Sequence, residues 1–291
     1  MSRTQGLRWR VSAVLLAVLL ASCASTERVA DDAVRRESLR VQLSAGAVEV
    51  DVYLPAEAEP TPLVIVAHGF SRSRRNMAGW GQQLATAGYL ALVPDLPSRS
   101  DHARNGRFLT ELRQYLLEDA AWRARIDPAR IGLLGFSAGG LSSLVSAAQA
   151  PAVAIWVGLD PVDRGGLAVR AAEQFRGNAV VITAEPSACN ARGNAREILA
   201  ALPRHTHFHV DGAVHVDAEW PGSLDGEFAC GRSSDAGRTA FRRLTMQAFA
   251  GRFSCTADLR PSAQQASAAT AASHVPEWRP AVVACTAAGG R

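Results

Sequence analysis

A serine stands between two glycines, Gly135 and Gly139, in the stretch Ile-Gly-Leu-Leu-Gly-Phe-Ser-Ala-Gly-Gly at residues 131–140. An apolar run precedes Ser137, and a run with helical spacing, 138–150, follows it. This is the arrangement a nucleophile elbow requires. The chain turns sharply, the serine takes a strained backbone conformation, and side chains at the flanking positions would clash. The turn lifts the hydroxyl clear of the sheet edge and aims the next helix N-terminus at a reacting carbonyl. Gly-x-Ser-x-Gly also arises by chance, and its weight here comes from the strand before it and the helix after it. A serine hydroxyl is a weak nucleophile and needs a base. Of the seven histidines, His68 and His102 precede the serine, His205, His207 and His209 fall within a strand, and His274 is in the tail. His215 remains, on the loop after the last strand, where the chain order nucleophile, acid, histidine places the base.

The elements that must position these groups are legible as an alternation. Residues 41–55 read as a β-hairpin around Ser44-Ala45-Gly46. Leu63 to Ala67 is a continuous apolar run, the pattern of a strand buried on both faces. Buried strands recur at 89–95, 130–136, 153–160 and 178–185, with a further strand at 205–212. Helical spacing separates them at 77–87, 105–124, 138–150, 166–175 and 195–202, and an amphipathic helix closes the pattern at 238–250. Asp127-Pro128 is expected to break the helix before the serine strand. Strict alternation predicts an α/β fold: a mostly parallel central sheet with helices on both faces and an N-terminal β-hairpin. One domain is expected over 39–256, followed by a low-complexity tail, 257–291, rich in Ala, Ser and Gln.

With these residues in place the sequence resembles the α/β-hydrolase superfamily, over about residues 40–250. The stretches "AHGFSRSRRNMAGWGQQLATAGYLALVPD", "GFSAGG" and "GLDPVD" resemble its chlorophyllase-like and dienelactone-hydrolase-like branch. Bacterial polyester hydrolases and platelet-activating-factor acetylhydrolases look more distant. The resemblance implies a serine esterase with backbone oxyanion donors. Ala138, the residue after the nucleophile, supplies one N–H, and Phe70 matches the second. It leaves the triad acid open. The superfamily's commonest position offers Glu185. The end of the preceding strand offers Asp160 and Asp163, and Asp160 matches the chlorophyllase-like and acetylhydrolase-like pattern best. Asp217 reads as a local hydrogen-bond partner, and His68 as a brace for the Phe70 loop.

Other groups are weighed against ordinary roles. His205, His207 and His209 share a strand face and have a spacing that suits a metal, but the preferred reading is an exposed face and no metal. Arg72, Arg74 and Arg75 could draw an anionic substrate or a lipid head group, although charge runs are usually just solvated. Trp80, Trp156 and Trp220 could line an acyl pocket, with Trp156 better read as core.

The 31 basic residues are all Arg, against 27 acidic ones, for a net charge of +4. No basic run interleaved with aromatics points to nucleic acid. Arg3, Arg8 and Arg10 followed by the apolar run 11–20 form an export signal too short to span a membrane. Leu20-Ala21-Ser22-Cys23 resembles a lipoprotein lipobox, which implies removal of residues 1–22 and acylation of Cys23. Ala24 leans toward outer-membrane sorting in that family. Residues 23–38 then read as a tether. In an oxidising compartment Cys189, Cys230, Cys255 and Cys285 are expected to form two disulfides. Cys189 and Cys230 lie on loops leaving the same sheet edge, so Cys189–Cys230 and Cys255–Cys285 is the expected pairing.

These readings converge on a lipid-anchored, monomeric serine hydrolase acting on small-molecule or lipid esters, without cofactor. An acyltransferase on the same triad, and a non-catalytic binding lipoprotein on a hydrolase scaffold, stand as alternatives.

Overall fold

The computed structural model describes residues 34–56, 60–150 and 152–254. The signal segment, Cys23, Cys255, Cys285 and the tail at 257–291 lie outside the described residues.

Eight strands form one sheet in the order β1-β2-β4-β3-β5-β6-β7-β8. They are β1 Arg35–Leu43, β2 Gly46–Leu54, β3 Thr61–Ala67, β4 Leu90–Pro94, β5 Ile126–Phe136, β6 Val153–Leu159, β7 Asn178–Thr183 and β8 His205–His209. β1 and β2 form the antiparallel hairpin, β2 pairs antiparallel with β4, and all other pairs are parallel. Every residue of β3, β4 and β6 is buried, as strands covered on both faces must be. β8 is the exposed edge.

The helices are α1 Ala78–Thr86, α2 His102–Glu118, α3 Ala120–Arg123, α4 Ala138–Ala148, α5 Leu167–Gln174, α6 Ala195–Ala201, α7 Leu224–Cys230 and α8 Asp235–Phe253. They divide the core in two. Leu63, Ile65, Leu133 and Trp156 face α2, α4 and α5, whereas Val64, Val66, Leu134 and Ile155 face α1 and α8. No described helix is long and apolar enough to cross a membrane.

The boundaries that differ most from expectation lie at the first strand and around the helix before the serine strand. β1 begins at Arg35, inside the expected tether 23–38, so the domain starts before residue 39. The cause is pairing: Arg35 lies opposite Leu54, and Arg36 and Ser38 both reach the buried carboxylate of Asp51, at 2.8 and 2.7 Å. The helix expected over 105–124 begins earlier, at His102, where the Asp101 carboxylate accepts the Arg104 N–H at 2.8 Å. It ends at Asp119, whose carboxylate caps α3 instead, and Asp127-Pro128 lies inside β5.

Candidate active site

Four adjacent parallel strands, β5 to β8, deliver their C-terminal ends to one edge of the sheet. Ser137 follows β5 and takes φ 55°, ψ −122°, a left-handed conformation that a non-glycine residue adopts only under strain. A side chain on Gly135 would run into Ser143 and the Gly139 carbonyl, and one on Gly139 into the Ala67 and His68 carbonyls. Both glycines are therefore demanded by the close approach of β3, β5 and α4 at the turn. Asp160 follows β6 with φ 42°, and its N–H donates to the Ile182 carbonyl of β7 at 2.6 Å.

His215 arrives from the far side. The chain leaves β8 and crosses the sheet edge, tied to the β7 end where Glu185 N–H donates to Ala213 O at 3.0 Å. It enters a 3₁₀ turn, His215–Ala218, that docks on the segment leading into α1. Trp80 Nε1–H donates to Ala218 O at 2.9 Å, Gly79 N–H to Trp220 O at 2.8 Å and Trp220 N–H to Asn76 O at 3.1 Å. The buried Glu219 carboxylate pairs with Arg72, which also holds Asp225. Burial pushes the Glu219 carboxyl up, against the pull of Arg72.

This crossing brings three buried side chains into one hydrogen-bonded chain. His215 Nε2 lies 2.9 Å from Ser137 Oγ, and His215 Nδ1 lies 2.7 Å from Asp160 Oδ2. With Nδ1 protonated toward the carboxylate, Nε2 is left to accept the serine proton. Asp160 is held in turn by Asn190 Nδ2–H at 2.9 Å and Ala184 N–H at 3.2 Å. The Phe136 ring packs on the imidazole, with centroids 4.7 Å apart. Next to this chain, the N–H groups of Phe70 and Ala138 have no protein acceptor among the described residues. Ala138 opens α4, so its N–H has no intrahelical partner by position. Both residues line a cavity of about 40 Å³. The arrangement sets a serine hydroxyl, an imidazole, a carboxylate and two amide N–H groups side by side, the kinds of group that acyl transfer uses.

The other candidate carboxylates are engaged elsewhere. Asp163 accepts from Gly166 N–H at 2.8 Å and Ala168 N–H at 2.6 Å, at the start of α5. Glu185 is exposed and accepts from Gly212 N–H at 3.0 Å. Asp217 accepts from Val214 N–H at 2.9 Å and Ser234 N–H at 2.8 Å, holding the turn that carries His215 to the start of α8. His68 braces the Phe70 loop. Its Nδ1 meets Gly69 O and its Nε2 accepts Leu96 N–H, both at 2.9 Å, and burial holds the ring below the usual histidine range.

Arg72 and Arg74 are not free to meet an anion, because Arg72 pairs with Glu219 and Asp225, and Arg74 with Asp51 and Asp95. Arg75 is exposed. Trp80 and Trp156 are core side chains, whereas Trp220 is half-buried under the Arg242 guanidinium. His205, His207 and His209 lie on the exposed edge strand, and His207 and His209 both approach Thr183 Oγ1. Glu185, His209 and Asp211 gather on that same exposed surface.

Cys189 and Cys230 form a disulfide that joins the loop after β7 to the end of α7. It closes a 41-residue loop containing His215. Chain entropy assigns such a loop on the order of 3–4 kcal/mol.

Asn190 and Glu219 were missed by sequence reasoning. Asn190 sits one residue from Cys189 and Glu219 four from His215, but an amide or a carboxylate in a loop carries no periodicity that would mark it.

A family profile described as PET hydrolase-like matches residues 24–185, more than half of the chain. The match takes in Ser137 and Asp160 and stops short of His215. Cutinase 2 of Thermobifida cellulosilytica is 25% identical over 183 residues, covering 61% of this chain and 69% of that one. A bis(hydroxyethyl) terephthalate hydrolase of Streptomyces coelicolor is 31% identical over 99 residues, 34% of this chain and 32% of that one. Among solved structures, dienelactone hydrolase of Anabaena variabilis superposes with a TM-score of 0.61 at 19% identity, over 76% of this chain and 99% of that one. The fold is that of the α/β-hydrolases.

Proposed function

The chain belongs to the PET hydrolase-like family, and from that premise we propose that it is a serine hydrolase cleaving carboxylic esters through an acyl-enzyme on Ser137. The observation that carries this reading is the hydrogen-bonded chain Ser137–His215–Asp160 beside two unengaged amide donors. His215 Nε2 takes the proton as Ser137 Oγ bonds to the ester carbonyl carbon. The carbonyl electron pair moves onto oxygen, where the N–H groups of Ala138 and Phe70 stabilise it. The electron pair returns, the C–O bond to the alcohol breaks, and His215 gives its proton to the departing oxygen. Water repeats the sequence on the acyl-enzyme, releasing the acid. Asp160 stabilises the imidazolium throughout, fixed by Asn190 and Ala184.

Support from relatives is at the level of ester hydrolysis: the names carried by the cutinases and the terephthalate-ester hydrolase agree on it. The purified protein should turn over 4-nitrophenyl esters in the presence of a chelator, with a rate that grades with acyl chain length. If turnover appears only when an alcohol acceptor replaces water, the activity is acyl transfer. If no ester is cleaved, the scaffold serves binding.

The disulfide agrees with export, since such bonds persist in oxidising compartments. We place the enzyme at the outer membrane, held by lipid on Cys23. Mass spectrometry of the membrane fraction should find a diacylglyceryl adduct at an N-terminal Cys23; an unmodified chain starting elsewhere would overturn the anchor.

A further inference from the structure

The cavity beside Phe70 and Ala138 has a second polar wall, formed by Ser98, Arg99, His102 and Asn105. Two of its polar side chains already have partners within the wall. Asn105 closes on Ser98, accepting its N–H at 3.0 Å and donating to its carbonyl at 2.8 Å, and the Ser98 hydroxyl accepts the Asp101 N–H at 3.0 Å. His102 is different. It is only 8% exposed, yet its Nδ1 is sealed from solvent without a partner. The ring's Nε2 also lacks a partner among the described residues but is not sealed, and it is the nitrogen left for a ligand atom entering the cavity that His102 lines.

The charges around this ring are mostly positive. Arg99 lines the cavity and Arg164 stands close enough to act on the imidazole. Both are exposed. Unlike Arg72 and Arg74, neither has a carboxylate partner among the described residues. The opposing charge is Asp101, which is occupied in capping α2. Burial first, and then Arg164, hold His102 below the usual histidine range, so the ring is neutral near pH 7 and has an N–H to donate.

We propose that His102, backed by Arg99 and Arg164, forms a subsite for a carboxylate carried by the ester substrate, next to the oxyanion donors. This rests on the esterase reading above and names its substrate class: esters bearing an anionic group. The carboxylate can sit on either side of the scissile bond, and two matched pairs distinguish the sides. 4-Acetoxybenzoate against phenyl acetate places the charge on the leaving alcohol. Phenyl hydrogen adipate against phenyl hexanoate places it at the end of the acyl chain.

After normalisation to alkaline hydrolysis, one pair should favour the anion by about tenfold in kcat/KM, the scale of one hydrogen bond to a charged group. The gain should appear in KM and fade as NaCl is raised to about 0.5 M, which screens exposed guanidinium groups. Arg99→Ala and His102→Leu should each bring the ratio toward one, and His102→Gln, which keeps a donor, should restore part of it. Because Arg99 is exposed, its variant carries the test even if the buried His102→Leu chain fails to fold. Turnover of the neutral esters without preference for the anion in either pair overturns the subsite alone. So does a preference that survives Arg99→Ala. No turnover of any of the four esters overturns the esterase reading with it.

Discussion

Replacing Ser137 by alanine is expected to lower kcat for 4-nitrophenyl esters by on the order of a millionfold, to the residue of rate that binding and the oxyanion donors supply. The fold should not change. The backbone of Ser137 does the structural work at this turn: its N–H donates to Leu159 O at 3.0 Å, and its carbonyl accepts from Gly140 at 2.9 Å and Val162 at 3.2 Å. Among the described residues the hydroxyl bonds only to His215. Alanine bears the same positive φ at a cost close to that of serine, so the circular dichroism spectrum and Tm should match wild type. Turnover within tenfold of wild type, in a folded variant, would contradict the proposed mechanism.

The second large effect concerns the acid. Asp160→Asn should reduce kcat by about 10⁴-fold. The carboxylate accepts from three donors, His215 Nδ1, Asn190 Nδ2 and Ala184 N. An amide can offer its NH₂ toward Nδ1 and so favour the tautomer that leaves Nε2 protonated, unable to take the serine proton. It also cannot stabilise the imidazolium. Asp163→Asn removes charge at the start of α5 and should act on stability, by about 1 kcal/mol, with turnover little changed. Glu185→Gln alters an exposed surface group and should leave turnover close to wild type. If Glu185→Gln proves the most damaging of the three, the acid has been misassigned.

That assignment shows where sequence reasoning stops. β6 and β7 are neighbours in the sheet, so Asp160 and Glu185 both leave the same edge, one strand apart. Either position is within the reach expected of a triad acid, and the motif alone left Asp160, Asp163 and Glu185 open. The distinction lies in which carboxylate points inward and which solvent claims, and that depends on Asn190, supplied by a loop 30 residues beyond Asp160. The meeting of Ser137 and His215 was legible, because a buried strand, paired glycines and a helix leave a serine at an elbow few other places to point. The alternation of buried strands and helices was legible for the same local reason.

Contacts made by tertiary packing were not. Arg72 and Arg74 read as a charge run near a site mouth, yet each is taken up by carboxylates distant in sequence, Glu219 and Asp51 among them. The early start of β1 rests on Arg36 and Ser38 finding Asp51 across the hairpin. The short helix α7 is fastened by the Arg72–Asp225 pair and the disulfide at its last residue, not by an apolar face: Leu224 and Phe228 are both exposed.

The most direct measurement is covalent labelling of the intact, oxidised protein with a fluorophosphonate, read by intact mass and by peptide mapping. The account predicts one adduct per chain, on the peptide containing Ser137, formed far more slowly in His215→Ala and absent in Ser137→Ala. An adduct on another residue, or no adduct in a folded chain that nonetheless cleaves esters, would contradict it.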